Sequence, residues 1–212
     1  MGRKLKFFLG ISYLIILSLF LYFVFSKIEI SRLNDFLYYK DMQVNLNNFV
    51  GNNLYFNLVV FFLFSIIWIT LLGFGLPLLV VSGILFGQWI GTLISIISIT
   101  IGATILYSIA KIFFASFAEN IFKSKFSKYI QLFNKNEFFY FLIYRLTGGL
   151  GVPFPLQNIL PVIFNMSKVN YFLSSLLGFI PSFFIFNTIG SGINIFIKES
   201  NNFSLMNLIF TK

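Results

Sequence analysis

The sequence contains no cysteine and no histidine. The first absence removes disulfides and thiolate chemistry. The two together leave no conventional zinc or haem site, so no metal or cofactor is expected. Acidic residues are scarce, six against fifteen basic, and no close carboxylate pair offers general acid–base work, so an enzyme is not expected. Charge of either sign is thin: 10% of the 212 residues are charged and 58% are apolar, where a soluble domain carries about a quarter charged. Residues 7–26, 42–110, 146–167 and 169–197 carry no charge at all. A transmembrane helix needs about 20 apolar residues, and soluble helices rarely run so long uncharged. These absences exclude a soluble globular protein and predict an all-α integral membrane protein.

The few charges that are present carry topology. Arg3, Lys4 and Lys6 precede the apolar run 7–26, and Phe25-Ser26-Lys27 lacks a small-x-small cleavage pattern. A retained anchor helix is expected rather than a cleaved signal peptide. Segment 27–50 balances Lys27, Arg32 and Lys40 with Glu29, Asp35 and Asp41, whereas 111–137 has five lysines against Glu119 and Glu137. The positive-inside rule then places the N-terminus and a 111–137 loop in the cytoplasm and 27–50 outside. The net charge of +9 is read as topology, and no nucleic-acid partner is expected. Within 119–133, Ile121, Phe122, Phe126, Tyr129, Ile130 and Phe133 recur at helical spacing. That stretch is an amphipathic helix on the lipid surface or a packed loop helix, and the pattern fits both. The chain divides into an anchor and polar segment (1–50), a membrane domain (51–192) and a short tail (193–212).

Residues 54–110 must cross an odd number of times. They hold Gly73, Gly75, Pro77, Gly83, Gly87 and Gly91 in their middle. As straight helix they would span roughly 85 Å, near three crossings of a bilayer core of about 30 Å; a re-entrant hairpin over about 58–87 followed by one crossing over 91–110 also satisfies the parity. An internal comparison favours it. At an offset of 78, Pro77-Leu78 meets Pro155-Leu156, Phe86 meets Phe164, Gly83 meets Pro161 and Gly87 meets Asn165. Each copy is followed by an apolar helix, 91–110 and 169–190. One crossing between the copies makes them an inverted repeat, with a second hairpin over about 138–166 entering from the cytoplasm. Broken helices of this kind place half-helix ends near the bilayer midplane, where a polar group can bind.

Arg145 is the most informative residue, an ionisable group inside an otherwise uncharged segment eight positions before Pro153. Such a residue is a functional-site candidate by default, and its planar fork of donors suits phosphate. Snorkelling to headgroups is the weaker account. Gly148, Gly149, Gly151, Pro153, Pro155 and Pro161 forbid a continuous helix. Gln157 and Asn158 follow the break, where their amides and free helix-terminal N–H groups would bind an anion. Asn158 serves local backbone groups equally well on this reading. Lys111 joins the candidate phosphate-binding set, although it and Lys168 stand at boundaries where snorkelling is the stronger account. Tyr107 reads as an interfacial aromatic.

The order Gly75-x-Pro77, Gly83-x-x-Phe86-Gly87-x-x-x-Gly91, Gly102, Tyr107, Lys111, then Arg145, Pro153-Phe154-Pro155, Asn158, Gly178, Pro181 and Gly190 resembles the DedA superfamily, also called the SNARE-associated or VTT domain. The resemblance covers about residues 50–192. It implies two facing re-entrant hairpins, shaped here by Pro77, Gly83, Gly87, Gly91, Gly151, Pro153, Pro155, Pro161, Gly178 and Pro181. It also implies movement of phosphorylated lipids between leaflets, with Arg145 on the lipid phosphate. Residues 42–118 contain no acidic side chain, which departs from members thought to be proton-coupled and favours passive scrambling or another driving ion. The expected partners are membrane lipids of the plasma membrane, and homo-oligomers are possible. Two other readings stand beside translocation: a small-solute transporter, and a membrane-organising factor that binds proteins through small-residue faces such as Gly83, Gly87 and Gly91.

Overall fold

The computed structural model describes residues 3–26, 44, 48 and 53–199. The described elements are helical: α1 (Arg3–Phe25), α2 (Leu54–Leu72), α3 (Leu76–Lys135), α4 (Glu137–Leu146), α5 (Phe154–Ile159), a 3-10 turn (Leu160–Val162), α6 (Lys168–Gly178) and α7 (Ile180–Glu199). The spans Leu54–Leu72 and Leu76–Ala118 are long and apolar enough to cross a bilayer, and the bent pair α6–α7 qualifies if taken as one span. The apolar stretch of α1, Phe7–Phe23, is shorter. Helix suits such sequences because it satisfies every backbone group internally where water is absent. The polar segment around 27–50 and the tail beyond Glu199 lie largely outside the described residues.

Local chemistry sets the ends of α2. Asn53 caps its start, accepting from the Phe56 amide at 3.2 Å, and Gly73 ends it in the left-handed region at φ 72°. The chain turns over Gly73–Gly75, and Pro77 occupies the first turn of α3, where its missing donor is harmless. Trp68 Nε1 donates to Phe74 O at 2.8 Å and pins the turn.

The helix assigned to α3 runs from Leu76 to Lys135, yet it folds back on itself. A straight helix would separate Ser82 and Ser95 by about 20 Å, but their hydroxyls are 2.8 Å apart. The reversal sits at Gly87, with φ 74° and no atom within 4 Å of where a Cβ would stand. Glycine is needed there for its conformation and not for space. Residues 76–86 therefore form an outer limb beside α2, with Phe61 edge-on to Phe86 at 5.4 Å. Residues 88–118 form a returning limb, whose Gly102 packs on Ile69 of α2.

Two sequence expectations are corrected. The 111–137 stretch is not a loop: α3 runs on to Lys135, so 119–133 is helical as its spacing predicts and continuous with what precedes it. No glycine or proline occurs between Gly102 and Gly148, so nothing stops the helix before Asn136. A straight helix would hold Lys111 and Phe133 about 33 Å apart. Both reach the 163–166 turn, Lys111 through the Asn165 and Met166 carbonyls and Phe133 by stacking on Phe164, so α3 bends between them. The second correction concerns 169–190, expected as one apolar helix. It is broken at Phe179, with a 46° bend between α6 and α7, because Pro181 lacks a donor and clashes with the preceding turn.

At the offset of 78, two pairs of positions share a left-handed backbone. The turn at Gly73–Gly75 falls opposite Gly151–Pro153, and Gly73 (φ 72°) opposite Gly151 (φ 79°). Gly87 (φ 74°) falls opposite Asn165 (φ 52°); asparagine follows glycine among residues that tolerate this region, which explains the exchange. The turns of the two halves meet: a Cβ on Gly73 would lie 3.1 Å from the Pro155 Cβ, and one on Gly75 3.2 Å from the Phe154 ring.

Candidate functional site

Beside that meeting point lies Arg145, in the last turn of α4 and only 1% exposed. Its Nη1 donates to Gln157 Oε1 at 3.1 Å. Its Nη2 donates to Asn158 Oδ1 at 2.8 Å and to the Tyr171 hydroxyl at 2.9 Å. Rings enclose the rest of the guanidinium, Phe179 at 4.6 Å and Phe141 at 4.7 Å, with Tyr171 and Phe154 farther out at 5.6 and 5.7 Å. These contacts recover part of the hydration lost on burial, and neutral acceptors take the hydrogen bonds.

No carboxylate neutralises this charge among the described residues. Glu137, the one acidic side chain described, is engaged elsewhere: it accepts from the Ser167 amide at 3.2 Å and from Asn170 Nδ2 at 2.6 Å. Arg145 Nε and Asn158 Nδ2 are buried without a hydrogen-bond partner. A buried cation with spare donors and no counter-charge is costly, and its arrangement favours an anion that reaches it.

The turn between α4 and α5 makes the cage. Gly148, Gly149, Leu150 and Gly151 all have positive φ, 70°, 76°, 52° and 79°. Only Leu150 is strained by this, at about 1–2 kcal/mol. The turn brings Gln157 back over Gly149, and Gln157 Nε2 donates to the Val152 and Gly148 carbonyls at 2.7 and 3.1 Å. The amide oxygens of Gln157 and Asn158 face Arg145; of the amide donors offered to an anion, Gln157 Nε2 is taken up by these carbonyls, while Asn158 Nδ2 is left without a partner. Gly178 completes the cage from α6, where a Cβ would collide with the Cβ of Arg145.

Lys111 stands apart from Arg145. It donates to the Met166 carbonyl at 2.8 Å and the Asn165 carbonyl at 3.3 Å. Tyr107 donates to the same Met166 carbonyl at 2.6 Å and stacks on Tyr171 at 4.4 Å. It is fully buried, so the interfacial reading of Tyr107 is overturned: its ring joins the returning limb of α3 to the Arg145 cage.

A second polar cluster lies where α3 meets α7. Ser82 donates to Asn187 Oδ1 and pairs with Ser95, while Asn187 Nδ2 donates to Phe183 O at 2.8 Å. Gly83, Gly91 and Gly190 admit these contacts, since a Cβ at Gly83 would strike the Asn187 carbonyl and one at Gly190 the Val80 carbonyl. Gly83 and Gly91 thus sit inside helical limbs as packing points, and the reversal falls to Gly87 alone. Pro155 and Pro161 sit at the starts of α5 and the 3-10 turn. Sequence reasoning missed Tyr171, Phe141, Phe179 and Asn187. Phe141, one turn before Arg145, was readable from helical spacing; Tyr171 and Asn187 make their contacts across 26 and 105 positions and left no local signal.

Among the described residues no group of His, Cys, Asp and Glu is placed to hold a metal. The family model of the VTT domain matches residues 73–192, more than half of the chain, and includes both fold-backs and the Arg145 cage. No solved structure matches the chain.

Proposed function

This chain belongs to the VTT-domain family of DedA and SNARE-associated membrane proteins, and from that premise we propose that it moves phosphate-bearing lipids between leaflets. The observation that carries the proposal is Arg145: a fully buried guanidinium at the meeting of two helix breaks, held by neutral acceptors. A lipid phosphate is the anion that a membrane supplies in quantity, and Arg binds it through two parallel donors. In the arrangement seen, the cage is closed. A headgroup reaches Arg145 when the turn 147–153 and α5 move, exchanging the Gln157 and Asn158 oxygens for phosphate oxygens one for one.

On this reading α2 with the outer limb, and α4 with α5, dip into the bilayer from opposite faces and meet at its middle, as an inverted repeat. Their support is the meeting of the Gly73–Gly75 and Pro153–Pro155 turns and the matched left-handed positions 78 residues apart. The lysines of 111–135 support a cytoplasmic position for that end of α3 under the positive-inside rule. Translocation makes and breaks no bond, so no catalytic group is invoked. The assembly-factor reading is weakened because Gly83, Gly91 and Gly190 are occupied in packing within the chain.

The test is lipid exchange by the purified protein in liposomes containing a headgroup-labelled lipid, read by quenching with a membrane-impermeant reductant. Wild type should expose the inner-leaflet pool, and folded Arg145→Met should leave it protected. If wild type protects that pool for phospholipids and a polyprenyl phosphate alike, the proposal fails.

A further inference from the structure

Along the flank of the second fold-back runs an apolar groove between the end of α3, α4 and the 160–164 turn. Its volume is about 300 Å3, and its walls include Leu132, Phe133, Tyr140, Phe141, Tyr144 and Phe164. The walls are held by one another: Phe133 stacks on Phe164 at 4.3 Å and on Tyr140 at 6.2 Å. Stacked rings keep a fixed shape better than aliphatic chains do. The space suits roughly ten chain carbons, at about 30 Å3 for each group the size of a water molecule.

Two observations select the occupant. The groove borders the Arg145 cage, since Phe141 forms its wall and also lies 4.7 Å from the guanidinium. The rim, moreover, is positive. Lys128 and Lys135 are exposed and lie four and three positions from Leu132, its neighbours on the surface of α3. Residues 120–136 contain no acidic side chain.

We propose that this groove docks an acyl chain of an anionic phospholipid, with the headgroup facing Lys128 and Lys135. The lipid is thereby held beside Arg145 before it crosses. This deepens the translocation reading and rests on it for its consequence, though not for its test.

The experiment uses full-length protein in liposomes of phosphatidylcholine or phosphatidylglycerol, each with a trace of the same lipid bearing a photoreactive group at the end of one chain. Adducts are mapped by mass spectrometry. They should concentrate on Leu132, Phe133 and Phe164 relative to Val59, Leu63 and Ile67, exposed apolar positions on α2, and more strongly with phosphatidylglycerol. Leu132→Trp, which fills the groove from a half-exposed position, should reduce the groove adducts and slow translocation. Lys128→Gln with Lys135→Gln should remove the preference for phosphatidylglycerol. Arg145→Met should abolish translocation and leave the adducts in place. Adducts no denser than on α2, or cross-links from a second copy in place of lipid, overturn the groove. Concentrated adducts in a protein that moves no lipid leave the groove standing and sink the translocation reading instead.

Discussion

The two fold-backs of this molecule share a plan and differ in what they bury. Around the first, Ser82, Ser95 and Asn187 form a neutral network, and glycines at 83, 91 and 190 close the helices over it. Hydroxyls and the carboxamide satisfy one another, and the buried hydroxyls left unpaired nearby, Ser65 on α2 and Thr100 on the returning limb, carry no charge. The second fold-back buries a full positive charge among rings and neutral oxygens, with donors on Arg145 and Asn158 unmatched. A network that satisfies itself stabilises a packing arrangement. A charge that stays uncompensated costs stability and is retained for another purpose. One half therefore reads as scaffold and the other as the working site.

The largest effects should come from exchanging the two kinds of polar residue for apolar ones of like size. In Arg145→Met, the Tyr171 hydroxyl still donates to Asn158 Oδ1, 3.2 Å away, so Gln157 Oε1 alone is orphaned. That penalty of about 1–3 kcal/mol is offset by release of a buried ion, whose desolvation costs several kcal/mol. Translocation should fall to the background of protein-free vesicles while thermal unfolding in nanodiscs is unchanged or shifted upward. In Asn187→Leu the order reverses, with about 1–3 kcal/mol of stability lost and translocation by the folded fraction kept. Strong destabilisation by Arg145→Met with little effect of Asn187→Leu would reverse the assignment of scaffold and site.

Glycine substitutions sharpen the same contrast with smaller effects. Gly83→Ala drives a methyl into the Asn187 carbonyl, and the α3–α7 contact has to open at roughly 1–3 kcal/mol. Only stability should change. Gly178→Ala drives one into the side chain of Arg145, so a similar loss of stability should bring a disproportionate loss of translocation rate. Parallel unfolding and liposome measurements on the two variants decide the matter. Equal activity per folded molecule in both would mean that the position of Arg145 within its cage is immaterial.

Much of this arrangement is legible in the sequence, and the limits of that legibility are physical. Charge-free runs and the Gly–Pro clusters identify a helical membrane domain broken near Gly73–Pro77 and Gly148–Pro155, because in an apolar medium only those residues tolerate interruption. Arg145 declares itself by being charged where nothing else is. The reversal at Gly87 is harder: Gly83, Gly87 and Gly91 look alike in sequence, and only the backbone distinguishes a left-handed glycine from two that admit a neighbour. The absence of glycine and proline from 103 to 147 permits a continuous helix, whereas the lysines there point to a loop under the positive-inside rule. Partners for Arg145 on α6 depend on tertiary contact and leave no periodic trace, and the same holds for Asn187.

The smallest effect tests whether the scaffold is coupled to the site through the Tyr107–Tyr171 stack. Tyr107→Phe removes one hydrogen bond to the Met166 carbonyl, but Lys111 still donates to that oxygen at 2.8 Å. The Phe ring keeps its place on Tyr171, 4.4 Å away and nearly parallel. No acceptor is orphaned, so the loss should stay at the low end of a single hydrogen bond, about 0.5 kcal/mol. Lys111→Met should be nearly as mild, since Tyr107 still donates to the Met166 carbonyl and the Asn165 carbonyl that also loses a donor belongs to an exposed residue. The double variant leaves the Met166 carbonyl without either donor, and its loss should exceed the sum of the two, a coupling that unfolding of all four proteins in nanodiscs measures. Strict additivity would mean that the two donors act independently and that Met166 does not tie the returning limb of α3 to the second fold-back.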